Sequence, residues 1–239
     1  MNQRLAELRT KIFADGADRD GMLEMSRKDY IKGLTTNPTL MAKSGIKNYK
    51  SFALDILGAI NSMPISFEVF SDDFSEMVDQ ALEIASWATN VYVKIPITNT
   101  KRVPSYELIH KLASREVKLN VTAIMTLEQV KHSTEALNPH VEAYVSVFAG
   151  RIADTGIDPL PLMKESVSIL TSKPKSELIW ASPRELLNIF HADSIGCQVI
   201  TVTNDILKKL ELVGKNLEDY SLETVKMFYD DGQKAGLKI

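Results

Sequence analysis

The sequence predicts an α/β fold, a single (β/α)8 TIM barrel with an additional C-terminal helix, and three observations carry that expectation. Eight short runs rich in β-branched and aromatic residues recur along the chain, each bounded by turn residues. Segments whose apolar residues recur at helical spacing separate them, and strands alternating with helices pair in parallel through βαβ units. The third observation is length: 239 residues hold eight such units and one further helix, with little left for an accessory domain. An open, doubly wound sheet alternates in the same way, but the G-x-G-x-x-G turn of dinucleotide-binding sheets is missing after the first strand, as is any G-x-x-x-x-G-K-[ST] loop. No linker, charge block or low-complexity stretch divides the chain, so residues 1–239 are read as one domain.

The strands are expected at residues 11–15, 30–35, 65–70, 91–97, 117–123, 141–148, 178–182 and 198–202. After the third, Phe74, Met77, Val78, Ala81, Leu82, Ile84 and Ala85 keep the spacing of one buried helix face. Tyr106, Leu108, Ile109 and Leu112 do so after the fourth, Leu127, Val130 and Ala136 after the fifth, and Leu160, Met163, Val167 and Leu170 after the sixth. Segments 99–104 and 171–176 read as surface loops. A ninth helical pattern at 217–233 either caps the barrel or reaches a neighbouring subunit, which leaves a homo-oligomer open.

Charge and cysteine usage narrow the function classes. With 28 Lys+Arg against 31 Asp+Glu, the net charge of −3 supplies no basic field for nucleic acid or anionic lipid, and neither is expected as a partner. The single cysteine, Cys197, excludes an intramolecular disulfide framework and reads as a small buried hydrophobe before the last strand. The first twenty residues lack the apolar run of a signal peptide, and no stretch approaches the ~18 apolar residues of a membrane helix, so a soluble cytoplasmic protein is expected. His110, His132, His140 and His191 show no H-E-x-x-H or comparable spacing and fall away from the strand ends, so no metal site is expected.

Alternation within the strands points to a pocket. In Val91-Tyr92-Val93-Lys94-Ile95-Pro96 the valines and Ile95 share one face and Tyr92 and Lys94 the other, so Lys94 points into the barrel. Ile65, Phe67 and Val69 oppose Glu68. Leu119, Val121 and Ala123 oppose Asn120 and Thr122; Ala143, Val145 and Val147 oppose Ser146 and Phe148; Ile179 and Ala181 oppose Ser182. Asp15 closes the first run, and the second leads into Thr35, Thr36 and Asn37. Seven of eight strands thus direct a hydrogen-bonding or ionisable side chain inward near the C-terminal end, where barrel enzymes place their active sites.

An inward lysine is costly to bury as an ammonium ion, which favours the neutral amine able to attack a carbonyl, the Schiff-base nucleophile of class I aldol chemistry. The alternative is a lysine salt-bridged to Glu68 or Asp15. Those two acids suit the proton transfers of carbinolamine dehydration and C–C cleavage; Asp15, before Gly16, equally suits a turn, and either carboxylate a strand end or cap. Arg151 and Arg184 lie just past strand ends, where barrels grip phosphate, and with the Ser182 hydroxyl would hold a phosphate monoester by charge-assisted bonds. The alternative is loop arginines paired with surface acids.

The chain resembles the transaldolases. Gly33-Leu34-Thr35-Thr36-Asn37-Pro38-Thr39-Leu40 is similar to their Thr-Thr-Asn-Pro-Ser signature, and Val91-Tyr92-Val93-Lys94-Ile95-Pro96 to their Schiff-base lysine segment on strand four. Phe13-Ala14-Asp15-Gly16-Ala17, Phe67-Glu68-Val69, Leu119-Asn120-Val121-Thr122, Phe148-Ala149-Gly150-Arg151 and Ala181-Ser182-Pro183-Arg184 follow in the family's order, seven motifs in all. The resemblance implies a (β/α)8 barrel that moves a dihydroxyacetone unit from a ketose phosphate, of fructose 6-phosphate or sedoheptulose 7-phosphate type, to an aldose phosphate with no metal or organic cofactor. It implies that Lys94 forms the imine and Asp15 is acid/base at the C–C bond. Glu68 would move protons through a water held by Thr122. Thr35, Asn37, Asn120 and Ser146 would bind the dihydroxyacetone hydroxyls; Arg151, Ser182 and Arg184 would bind phosphate.

The resemblance also separates two activities. Short fructose-6-phosphate aldolases, which release free dihydroxyacetone, carry glutamine at the position of Glu68 and tyrosine at that of Phe148; this chain carries the transferase type at both. Departures lie around the phosphate end: Ser146-Val147-Phe148-Ala149-Gly150-Arg151 stands for the usual Ser-Pro-Phe-Val-Gly-Arg, and Pro183 replaces a phenylalanine. A third reading, a barrel that binds sugar phosphate without turnover, has to explain why Lys94, Asp15 and Glu68 are all present.

Overall fold

A computed structural model describes residues 3–238. Strands β1 (Lys11–Asp15), β2 (Ile31–Thr35), β3 (Ile65–Glu68), β4 (Val91–Pro96), β5 (Leu119–Ile124), β6 (Ala143–Val147), β7 (Ser176–Trp180) and β8 (Val199–Thr203) pair in parallel in chain order, and β8 returns to β1 to close a barrel. Helix α1 (Gln3–Ala6) precedes β1 and α2 (Arg19–Ser26) follows it. Then come α3 (Pro38–Lys43) and α4 (Tyr49–Ala59) after β2, α5 (Phe74–Ala85) after β3, α6 (Tyr106–Ala113) after β4 and α7 (Leu127–Ala136) after β5. Helices α8 (Ala149–Asp154) and α9 (Leu160–Leu170) follow β6, α10 (Leu187–Ser194) follows β7, and α11 (Asn204–Leu207) with α12 (Leu217–Lys234) follows β8. The helical spacings of the sequence fall on α5, α6, α7, α9 and α12.

Two cores result from the alternation. Outward-facing Phe67, Val93, Ile95, Leu119 and Val121 are fully buried beneath Met77, Ala81 and Ile84 of α5, Ile109 and Leu112 of α6 and Val130 of α7. Each such side chain, removed from water, contributes about 1.5–3 kcal/mol before conformational entropy is set against it. Inside the barrel, Phe13, Tyr92, Tyr144, Ile179, Ala181 and Val199 form a separate cluster. Phe13 meets Tyr144 edge to face at 5.5 Å, and Tyr144 lies against Tyr92 at 4.4 Å. Gly33 of β2 is required here, because a Cβ would lie 2.6 Å from the Phe13 ring. This aromatic floor closes the lumen below the polar layer.

Two strand phases differ from the expectation. On β7 the inward residues are apolar Ile179 and Ala181, while Leu178 and Trp180 join the outer core. Ser182 lies beyond the strand and departs from its alternation by adopting φ = 58°. On β5 the pairing with β6 slips between Val121 and Ile124, and Ala123, at φ = 62°, turns onto the cavity wall rather than continuing the outward row. Strand β7 also begins at Ser176, inside the segment read as a loop.

No residue of α12 is buried. Leu222, Val225, Phe228 and Tyr229 are each at least half exposed, so this helix does not cap its own barrel. Among the described residues, no helix is long and apolar enough to cross a membrane.

Candidate active site

At the C-terminal ends of the strands a cavity of about 350 Å³ is lined by Asp15, Thr35, Asn37, Glu68, Lys94, Asn120, Thr122, Ser146, Phe148, Arg151 and Ser182. All were singled out from sequence. Register explains the convergence: Asp15 pairs with Thr35 across β1 and β2, Glu68 with Lys94 across β3 and β4, and Lys94 with Asn120 across β4 and β5. In-register residues on neighbouring parallel strands point to the same side of the sheet, so in a closed barrel these side chains converge in the lumen.

Lys94 is buried, with only 8% of its side chain exposed. Its Nζ lies 3.2 Å from Glu68 Oε2 and donates to the Thr36 carbonyl oxygen at 2.8 Å. The salt-bridged alternative is therefore present in the structure, inside the cavity where a nucleophile would be needed.

The four residues after Leu34 divide their tasks. Thr35 donates to Asp15 Oδ1 at 2.8 Å. Thr36 turns its hydroxyl away, to the Ser66 carbonyl oxygen at 2.9 Å, and offers Lys94 its own carbonyl. Asn37 caps α3, accepting from the Leu40 backbone N–H at 2.9 Å, while its Nδ2 reaches Asp15 Oδ2 at 3.3 Å. Pro38 then occupies the first helical turn, where its missing N–H costs nothing.

Burial raises the Asp15 carboxyl above its ordinary range; the Lys94 charge and the bonds from Thr35 and Asn37 oppose this, and the Glu68 charge adds to it. Such a carboxyl is suited to exchanging a proton nearer neutrality than a free aspartate would.

On the opposite wall Asn120 is fixed at both ends of its amide: Nδ2 donates to Ser66 Oγ at 3.0 Å, and Oδ1 accepts from Ser146 at 2.7 Å. Thr122 Oγ1 is buried and has no hydrogen-bond partner, an unmet demand on the cavity wall.

The two arginines expected to hold phosphate are placed differently. Arg151 lines the cavity, with its guanidinium carbon 5.5 Å from the Phe148 ring centroid. Arg184 does not line it: its Nε donates to Asp154 Oδ1 at 2.8 Å, a second guanidinium nitrogen bonds Oδ2, and the pairing holds Asp154 below its ordinary range. Gly150 lets this corner close, since a Cβ there would lie 1.5 Å from the Ser182 carbonyl oxygen.

Sequence reasoning missed Thr201, Ser66 and Ala123. Thr201 of β8 is buried, lines the cavity and sets its hydroxyl against that of Thr35. Its signal was available in the phase of β8, where Val199 and Thr201 share the inward face. Cys197 is buried, and its thiol is pushed up to about 12, which makes it unreactive.

Residues 12–239 match the family model described as transaldolase/fructose-6-phosphate aldolase. The chain is 33% identical to a probable transaldolase of Thermoanaerobacter sp. (strain X514), over 96% of its own length and all of the relative's. It is 35% identical to a probable transaldolase of Dehalococcoides mccartyi, over 84% of its length and 89% of the relative's. Among solved structures, KGPDC from Streptococcus mutans superposes with a TM-score of 0.56 over 84% of this chain and 91% of the other; at 8% identity that likeness concerns the barrel alone. With sequence relatives and a closed eight-stranded barrel in agreement, the chain belongs to the transaldolase/fructose-6-phosphate aldolase family.

Proposed function

We propose that this enzyme is a transaldolase that carries a dihydroxyacetone unit from a ketose phosphate, of fructose 6-phosphate or sedoheptulose 7-phosphate type, to an aldose phosphate. The observation that carries the reading is the grouping of buried Lys94, Glu68 at 3.2 Å and Asp15 in one cavity. Lys94 Nζ attacks the donor C2 carbonyl, and Glu68 takes up the proton the amine gives away. Glu68 returns a proton through a water on Thr122 Oγ1, so that the carbinolamine loses water and leaves an imine. Asp15 then accepts the C4 hydroxyl proton as the C3–C4 bond breaks. The bond electrons move into the imine to give an enamine, and the aldose phosphate departs. An incoming aldose phosphate reverses these steps at the same carbon. Thr35, Asn37, Asn120 and Ser146 hold the hydroxyls of the three-carbon unit, and Arg151 with Ser182 holds phosphate. Arg184 joins them by exchanging Asp154 for phosphate oxygens.

Phe148 favours transfer over release. It places no hydroxyl beside the imine, so hydrolysis lacks a proton donor at that wall and the intermediate survives until an acceptor arrives. The discriminating experiment measures glyceraldehyde 3-phosphate release from fructose 6-phosphate with and without erythrose 4-phosphate. Release that depends on the acceptor supports transfer; release at a comparable rate without it assigns the protein to the aldolase branch.

The same reading takes the enzyme to be cytoplasmic, in keeping with a chain that has one buried cysteine and needs no disulfide. It also takes the enzyme to self-associate through α12. Because α12 buries no residue against its own barrel, its apolar side chains are covered by a second copy of the chain.

A further inference from the structure

Resting on the reading of Asp15 as the acid/base group, we propose that Thr201 is a positioning residue for it: the Thr201 hydroxyl donates to Thr35 and thereby holds Thr35 as a donor to Asp15. The direction follows from proton counting. A threonine hydroxyl carries one proton, and that of Thr35 goes to Asp15 Oδ1 at 2.8 Å. While Asp15 is ionised it can only accept, so in the state that takes up a substrate proton the contact between the Thr35 and Thr201 hydroxyls uses the proton of Thr201. The chain runs from β8 through β2 to β1, across strands that are neighbours of β1 on either side. Its last member, with Asn37 on the other oxygen, presents the carboxylate to the cavity.

Packing alone does not call for a hydroxyl at this position. Thr201 is buried to 7% exposure, and Val199, on the same inward face, shows that a plain β-branched side chain fits the lumen. Burying an O–H in place of a methyl is favourable only where it has a partner, and its partner here is the residue that orients Asp15. The donor–acceptor chain also gains from cooperativity, because a hydroxyl that accepts a bond becomes a better donor.

Without the Thr201 hydroxyl, Thr35 loses the bond that fixes its orientation, and Asp15 loses part of the support for its charged form. The other charged groups around Asp15 stay in place: Lys94 on β4, Glu68 on β3 and Arg151 on α8 across the cavity. Asp18, Lys43 and Asp205 line the neighbouring cavity that Asp15 also borders. The carboxylate that accepts the C4 hydroxyl proton is then populated only at higher pH.

The test compares wild type, Thr201→Val and Thr201→Ser for kcat against pH with fructose 6-phosphate and erythrose 4-phosphate. Borohydride trapping of the Lys94 adduct is measured in parallel. Thr201→Val is expected to form the adduct to the wild-type extent, lose about five- to tenfold in kcat, and move the acid limb of the profile upward by roughly half to one pH unit. Thr201→Ser is expected to restore both. A Val variant with the wild-type rate and profile overturns the proposal, as does a Ser variant that behaves like Val, since the effect would then belong to the methyl group. Should Val prevent folding, Thr201→Ala, which adds no bulk, carries the same expectations. A wild-type protein that forms no adduct contradicts the transaldolase reading and this proposal with it, whereas a normal adduct with an indifferent Thr201→Val contradicts the role of Thr201 alone.

Discussion

Asp15 is pulled in opposite directions by its surroundings, and burial prevails over the lysine and two hydrogen bonds. A carboxyl whose folded value lies above its unfolded one favours folding fully at pH below the ordinary aspartate range, and that contribution is lost as pH rises through the raised value. Above that raised value the ionised side chain is thus a cost to the fold, one that the proposed acid/base role accounts for. Asp15→Asn is expected to raise Tm at pH 7 by roughly 2–4 °C, with the gain vanishing toward about pH 4, while turnover falls by about 10²-fold or more. Differential scanning calorimetry at both pH values checks the first part, and a lower Tm at pH 7 would count against this account of Asp15. Phe148→Tyr is expected to raise acceptor-independent cleavage of fructose 6-phosphate; unchanged partitioning between release and transfer would refute the role given to Phe148. Most residues of this kind were legible because a polar side chain on the inward phase of an otherwise apolar strand stands out, as Lys94 and Asn120 do. Thr201 was passed over although it shares the inward phase of Val199, since in Val199-Ile200-Thr201-Val202-Thr203 a threonine is an ordinary β-branched strand residue, and only its partner on β2, on the other side of β1, shows what its hydroxyl is for.

At the scale of elements, helices were easier to read than strand phases. Segments such as Phe74–Ala85 and Leu127–Ala136 carry their own evidence, in a buried stripe and in caps, with Asp73 capping one and a Thr126/Gln129 capping box the other. The inward face of β7 was misread because the reading tied Ser182 to the strand's alternation, whereas a left-handed backbone at Ser182 brings it to the cavity from outside that alternation. Ala123 is a parallel case at the β5 bulge, and nothing in an alanine announces a positive φ. The same corner depends on Gly150. Gly150→Ala would force the start of α8 away from the Ser182 carbonyl, so it is expected to destabilise the fold by about 1–3 kcal/mol and to raise KM for fructose 6-phosphate as Arg151 moves. Urea unfolding with initial-rate kinetics measures both, and wild-type values for the two together would show that the close approach has no consequence.

For the whole molecule, near-neutral charge means that attraction for an anionic sugar phosphate rests on a few placed cations, and the structure narrows these further. Lys94 and Arg151 face the cavity, whereas Arg184 is paired with Asp154. The length of the chain foretold eight units and one helix more; where the last helix would rest was beyond local pattern, because an amphipathic stripe shows that a helix needs a partner without naming one. If the proposed self-association runs through α12, Phe228→Asp with Tyr229→Ser is expected to reduce the mass measured by light scattering to that of a monomer, and an unchanged mass would contradict self-association through this helix. Everything proposed for the cavity depends on one covalent bond. Incubation with fructose 6-phosphate and borohydride, followed by peptide mass spectrometry, is predicted to give a reduced dihydroxyacetone adduct on Lys94 that Lys94→Met abolishes. An intact, folded protein that carries no adduct at Lys94 would contradict the Schiff-base mechanism for this donor.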